Sequence, residues 1–119
     1  MPTSTGKTID ILLIEDSLSD IRLTQKVFEH ARVPNRLSVI QDGESALQYL
    51  MPASGQPCSP LPDLILLDLN LPRLSGHQVL HAIKGSEQLR HIPVIILTTS
   101  ANEDDVRKAY QAHANAYIR

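Results

Sequence analysis

The stretch LILLDLNLPRLSG, Leu64 to Gly76, begins as an apolar run and continues as a loop after a single carboxylate, Asp68. The apolar run does not alternate with polar residues, which is typical of a strand covered on both faces in a parallel sheet. Asn70, Pro72 and Ser75, which follow the acid, favour turns. A strand that is buried along its length and then ends in an acid indicates that the acid has a role of its own.

Four more stretches of the sequence have the pattern of strands. Ile11 to Ile14 (ILLI) and Val94 to Leu97 (VIIL) are apolar throughout, and Leu37 to Ile40 forms a weaker strand pattern. The last residues of the sequence, Ala116 to Arg119, have the pattern of another strand. The chain is therefore expected to build a sheet of five strands.

Helical patterns separate these strands. The first predicted helix begins after Ser17, because Asp20 three residues later completes a helix-start signal. Its apolar residues, at roughly helical spacing, are Leu18, Ile21, Val27, Phe28 and Ala31. The other predicted helices begin near or after three residues: Ala46, Gly76 and Asn102. The proline-rich residues 51–62 are predicted to be a loop.

Composition and charge limit the kinds of partner. The 119 residues are 42% apolar and 20% charged, ordinary values for a single globular domain over residues 1–119, with 1–8 expected to be a flexible N-terminus. The net charge of −2 leaves no basic stripe, so neither nucleic acid nor a membrane is an expected partner. Cys58, the single cysteine, cannot form an internal disulfide, and no stretch resembles a signal peptide. We therefore expect a cytoplasmic protein whose partners are proteins.

The alternation of strands and helices predicts where a ligand binds. It implies an α/β fold, a doubly wound parallel sheet in the flavodoxin-like order 2-1-3-4-5, which places the first and third strands side by side. Ligands bind such sheets at the carboxyl ends of the strands where the winding direction reverses. Glu15 and Asp16 follow the first strand there, and Asp68 ends the third. Since neighbouring strands lie ~4.8 Å apart, these carboxylates would repel one another.

A divalent cation would compensate that repulsion. Mg²⁺ sits on one or two carboxylates and keeps coordination sites open for phosphate oxygens. Thr98 follows the fourth strand and can donate its hydroxyl to a phosphoryl oxygen, and the backbone carbonyl of Asn70 is a further candidate ligand. Pro72 and Gly76 are expected to shape the turn around it. The residues therefore predict a magnesium-dependent phosphoryl site that includes Asp68.

Three separated motifs of the chain resemble a known family. IEDS at Ile14 to Ser17, LLDLNLPRLSG at Leu66 to Gly76 and IPVIILTTS at Ile92 to Ser100 are similar to the signature segments of the receiver domain of two-component response regulators. The proline-rich loop and the run SANEDDVRKAYQAHANAYIR more narrowly resemble the small stand-alone response regulators of cyanobacterial phytochromes. The resemblance covers nearly the whole chain from about Ile9 onward.

The resemblance implies a role for each matching position. Asp68 is expected to accept a phosphoryl group from a histidine kinase, with a phytochrome as the candidate kinase. Glu15, Asp16 and Asp68 are expected to hold Mg²⁺ together with the main-chain carbonyl of Asn70. The chain is then a phosphoacceptor that catalyses its own phosphorylation and dephosphorylation, not an enzyme acting on other substrates.

The resemblance also implies a switch. Thr98 matches the hydroxyl that moves toward the phosphoryl group, and Tyr117 matches the aromatic residue that turns inward with it. The surface made by the fourth helix and fifth strand would then change. An unknown downstream protein or a second copy of the chain, forming a homodimer, is expected to bind this surface.

Two features of the family lie beyond the given residues. The family has a lysine at the end of the fifth strand, which alignment places just after Arg119, and a fifth helix that follows it. Arg119 is one residue early and, because side chains alternate along a strand, it is not expected to replace that lysine. We therefore expect a C-terminal helix that is missing from this sequence.

Other functional classes fit less well. A hydrolase of the haloacid dehalogenase type needs a second acid two residues after the first, where this chain has Asn70. A flavodoxin-like electron carrier needs a glycine-rich phosphate loop after the first strand, where this chain has Glu15 and Asp16. The remaining alternative is a receiver-like module that binds proteins without being phosphorylated.

Overall fold

The computed structural model describes residues 8–52, 61–97 and 116–118. Five parallel strands form one sheet in the order β2-β1-β3-β4-β5, which confirms the predicted order 2-1-3-4-5. The strands are β1 (Ile9–Ile14), β2 (Asn35–Ile40), β3 (Leu64–Asp68), β4 (Val94–Leu97) and β5 (Ala116–Ile118). The helices of the described residues are α1 (Leu18–Glu29), α2 (Gly43–Leu50) and α3 (Gly76–Gly85).

The first strand is longer than its apolar run. β1 begins at Ile9, which pairs with Asn35, and Asp10 pairs with Arg36 in the same ladder. The Asp10 amide also donates to the Asp63 carboxylate at 2.9 Å. Hydrogen bonds to neighbouring strands therefore extend β1 by two residues that the apolar pattern alone did not include.

Helix α1 begins where the sequence predicted, but fewer of its apolar residues are buried than the helical spacing suggested. The Ser17 side chain caps the helix by accepting from the Asp20 amide at 3.4 Å. Ile21 is buried, whereas Leu18 and Val27 are 61% and 60% exposed. Val27 lies about 120° around the helix axis from Ile21, since each residue turns the helix by about 100°. The predicted spacing therefore included apolar residues that the helix does not direct into the core.

The two faces of the sheet carry separate clusters of buried apolar side chains. On one face, residues of α2 and α3 such as Ala46 and Leu80 pack on the strands with Leu67. On the other face, Ile21 of α1 packs with Leu13. Coverage of both faces explains why the strand patterns are apolar throughout and do not alternate.

Several predicted features lie outside the described residues. They are Thr98, the helix expected from Asn102, the side chain of Tyr117, Arg119, and most of the loop 51–62 and of the N-terminal residues 1–8. The backbone of Ala116–Ile118 is described and confirms the fifth strand, which pairs with β4. Within the ranges that are described, none of the helices has both the length and the apolar character to cross a bilayer.

Truncating the buried centre of β3 tests this packing. We expect Leu67→Ala to lower the free energy of unfolding by about 2–5 kcal/mol, because Leu67 is fully buried and the change leaves a cavity. The matched control is Leu23→Ala, since Leu23 is 64% exposed and its loss should change stability by less than about 0.5 kcal/mol. Urea unfolding measures both, and equal losses would contradict the described core.

Candidate functional site

Three carboxylates meet at the carboxyl edge of the sheet. Ile14 at the end of β1 lies beside Leu67 of β3 in the strand register. Each strand therefore continues into an acid at the same level, Glu15 after β1 and Asp68 at the end of β3. Asp16 completes the group, and one carboxylate oxygen from each of these three residues lies within 4.8 Å of the others. We call these residues the acidic pocket.

Two members of the acidic pocket are buried. Glu15 is 4% exposed and Asp68 is 8% exposed, and they are the only buried charged side chains in the described ranges. Asp16 is exposed at the mouth of the pocket. Two carboxylates that are close together and withdrawn from water cannot both be ionised without a large electrostatic cost.

Burial, a side-chain hydrogen bond with Asp68 and the negative charges of Asp68 and Asp20 together raise the pKa of Glu15 to about 8, well above the value of 4.5 for a free glutamate. The Ser17 amide, which donates to this carboxylate, acts in the opposite direction. Near neutral pH and without a cation, Glu15 therefore holds a proton. A cation that enters the pocket has to displace this proton.

Backbone amides orient both buried carboxylates. The Ser17 amide donates to Oε2 of Glu15 at 3.2 Å, and the Asn70 amide donates to Oδ1 of Asp68 at 3.1 Å. In both cases the donor lies two residues after the acid. The apolar patterns do not predict these contacts, although an acid followed by turn residues commonly accepts from the amide two positions later.

The loop Leu69–Ser75 follows Asp68 and closes tightly against it. The Gly76 amide donates to the Leu69 carbonyl at 3.0 Å. A Cβ at Gly76 would overlap the Asp68 carbonyl oxygen and the Leu69 Cα, so only glycine leaves room for this closure. The Ser75 side chain then caps α3, with Gln78 completing a capping box.

The structure describes the remaining predicted site residues to different extents. Asn70 lies next to Asp68 with an exposed side chain, and Pro72 is exposed in the same loop. Thr98 lies outside the described residues; it follows Leu97, which pairs with Asp68 in the sheet. Tyr117 is described only by its backbone, which pairs with Ile96 of the central part of β4.

The residues of the acidic pocket fit a hard divalent cation. They offer carboxylate oxygens, which are the ligands that Mg²⁺ and Mn²⁺ prefer, and they include neither thiolate nor imidazole. Burial and the neighbouring Asp68 raise the pKa of Glu15, so the ionised form of this carboxylate is disfavoured in the pocket. A bound cation would stabilise the ionised form.

Comparison with known proteins identifies the family. The family profile "Response regulator receiver domain" matches residues 11–119. The response regulator Rcp1 of Synechocystis sp. is 46% identical over 108 residues, which cover 91% of this chain and 74% of Rcp1. The probable methanogenesis regulatory protein FilR2 of Methanothrix harundinacea is also 46% identical over 108 residues, covering 91% of this chain and 69% of FilR2.

Solved structures give the same result. The phosphorylated cyanobacterial phytochrome response regulator RcpA superposes with a TM-score of 0.86 at 42% identity, covering 94% of this chain and 80% of RcpA. The Mn²⁺-bound form of Rcp1 superposes with a TM-score of 0.85 at 45% identity, covering 92% of this chain and 79% of Rcp1. The chain therefore belongs to the response regulator receiver domain family, whose function in two-component signalling is phosphorylation-dependent switching.

Proposed function

We propose that Asp68 accepts a phosphoryl group from a histidine kinase in a Mg²⁺-dependent reaction, and that its phosphorylation changes a protein-binding surface. The observation that supports this most strongly is the acidic pocket: Glu15, Asp16 and Asp68 bring carboxylate oxygens within 4.8 Å of one another at the end of the sheet. Carboxylates that can hold a cation beside an acceptor oxygen offer the positioning and charge neutralisation on which phosphoryl transfer depends.

The cation would be held by the side chains of Glu15, Asp16 and Asp68 and by the main-chain carbonyl of Asn70. When bound, it supplies positive charge next to the oxygens of the phosphoryl group. Mg²⁺ is the cation we propose because this ligand set is made of oxygen atoms and leaves coordination sites for phosphate. Rcp1, a relative with a solved Mn²⁺-bound form, supports a divalent ion as the ligand.

The chain's own residues prepare Asp68 for the transfer. The carboxylate attacks phosphorus as the phosphorus–nitrogen bond of the phosphohistidine breaks, and the electron pair of that bond leaves with the imidazole. The Asn70 amide at 3.1 Å fixes the carboxylate, so less orientational freedom is lost during the reaction. The buried walls of the pocket strengthen every charge interaction inside it.

A switch would pass the change to the surface. We propose that the Thr98 hydroxyl donates to the phosphoryl group and that Tyr117 follows it, as the family resemblance implies. The surface of the fourth helix and β5 would then bind a downstream protein or a second copy of the chain. Phosphorylation shifts such an equilibrium only by the difference in its contacts between the two states.

The proposed donor is a histidine kinase, with a phytochrome as the candidate. RcpA is a phytochrome response regulator and superposes with this chain with a TM-score of 0.86, which supports that candidate. FilR2, a probable methanogenesis regulatory protein, has the same 46% sequence identity to this chain as Rcp1. The phytochrome candidate therefore rests on the likeness to RcpA.

Replacement of the acceptor tests the proposal directly. With acetyl phosphate as donor, the wild-type chain should become labelled in Mg²⁺ but not in excess chelator, and Asp68→Asn should lose the labelling because the amide is a poor nucleophile. Asp63→Asn is the matched control, since Asp63 is an exposed acid just before the same strand and should be dispensable. Labelling of Asp68→Asn at the wild-type level would reject Asp68 as the acceptor.

The pKa of Glu15 predicts how cation binding depends on pH. Because Glu15 must lose its proton, Mg²⁺ affinity should rise by up to about tenfold per pH unit below pH 8 and level off above it. Titration calorimetry in two buffers of different ionisation enthalpy measures the affinity and the released proton. The Glu15→Gln variant should bind Mg²⁺ more weakly, with an affinity that does not rise with pH in this way. A wild-type Mg²⁺ affinity that is constant over the same pH range would contradict the role of Glu15 as a cation ligand.

A further inference from the structure

We infer that Gly43, the first residue of α2, is a positioning residue for the loop Leu69–Ser75, which would supply the Asn70 carbonyl to the cation. Gly43 does not touch the acidic pocket. It lies against Leu74, a residue near the end of this loop, and positions the loop through that contact. The inference rests on the proposed function, because it concerns a loop whose value to the protein is the placement of that carbonyl beside Asp68.

Gly43 is needed for space. It is buried, and a Cβ at this position would overlap the Leu74 carbonyl oxygen, lie 2.7 Å from Cγ2 of Val79 and lie 3.1 Å from the Leu74 Cβ. Neither neighbour yields easily, since one is backbone and Val79 is fully buried in the core. The φ angle of Gly43 is not in the left-handed region, so close approach is the reason for glycine here.

The opposite end of the loop is fixed against Asp68. The Gly76 amide donates to the Leu69 carbonyl at 3.0 Å, and a Cβ at Gly76 would overlap the Asp68 carbonyl oxygen. Leu69 is buried, and the Leu74 side chain packs on the same core cluster. A loop held at both ends in this way has little freedom to move. A displacement of Leu74 therefore has to be shared by the other loop residues, which include Asn70.

The charge of Arg73, in the loop, also acts on the start of α2. Asp42 caps α2 by accepting from the Ser45 amide at 2.7 Å and from the Ser45 hydroxyl at 2.8 Å. These hydrogen bonds lower the pKa of Asp42, and the positive charge of Arg73 acts in the same direction. Arg73 precedes Leu74 and has a φ of 68°, an angle that non-glycine residues rarely adopt. The start of α2 and the loop therefore lie close enough for a change in one to affect the other.

Coupling of this kind acts in both directions. If the start of α2 sets the loop geometry that binds the cation, the bound cation must stabilise the start of α2 by the same free energy. Magnesium added to the wild-type protein should therefore slow hydrogen exchange of the Ser45 and Ala46 amides, both of which donate to Asp42. A glycine needed only for close packing in the core would not produce this effect.

The test compares two substitutions in the same helix. Gly43→Ala should weaken Mg²⁺ binding by about 10- to 100-fold in titration calorimetry, the usual cost of disturbing a group that orients a metal ligand. Ala46→Gly is the matched control, because it destabilises α2 at a buried position but leaves the contact between Gly43 and Leu74 intact. Wild-type affinity in Gly43→Ala, or an equal loss in Ala46→Gly, would overturn the inference.

A second variant keeps the test decisive if Gly43→Ala folds poorly. Adding Val79→Ala removes the side-chain overlap but leaves the overlap with the Leu74 carbonyl, so the double variant should regain stability and still bind Mg²⁺ weakly. Full recovery of Mg²⁺ affinity in the double variant would overturn the inference. Failure of the proposed function looks different, since in that case the wild-type protein itself would not take up Mg²⁺ at millimolar concentration.

Discussion

The burial of Glu15 and Asp68 side by side, with the repulsion between their carboxylates, is the constraint on which the site depends. Both carboxylates are buried, and the protein accommodates them without a cation by raising the pKa of Glu15 to about 8. The folded state therefore binds more protons than the unfolded chain between pH 4.5 and about 8, where an unfolded glutamate is ionised. The stability that this proton supplies is lost as the pH rises through that range. A bound cation would restore it, so the pocket would link stability to ion binding.

The fold produces this repulsion through strand order and register. Doubly wound topology puts β1 beside β3, and the pairing of Ile14 with Leu67 brings the two following acids to the same level. The turns after both strands supply the Ser17 and Asn70 amides that orient the carboxylates. The apolar clusters pack the strands tightly on both faces, which opposes a separation of the acids. The function therefore comes from local geometry that a common fold makes available.

The sequence predicted the features that depend on patterns along the chain. Unbroken apolar runs predicted the buried strands, alternation with helices predicted their order, and acids after the runs predicted the group of Glu15, Asp16 and Asp68. It failed where packing in three dimensions decides the outcome. The exposure of Val27 depends on its direction around α1, and the requirement for glycine at position 43 depends on the Leu74 carbonyl, which is distant in sequence. No periodicity within a single segment carries that information.

The most direct test of the account is the stability of the protein as a function of Mg²⁺ concentration. At a pH of about 8.5, urea unfolding should show the free energy of unfolding rising by about 1.4 kcal/mol for each tenfold increase in Mg²⁺ above the dissociation constant. A double variant with Glu15→Gln and Asp68→Asn should be more stable than wild type without the ion and should not respond to it. Wild-type stability that is independent of Mg²⁺, or an equal response in the double variant, would contradict the claim that buried repulsion between these carboxylates creates the cation site.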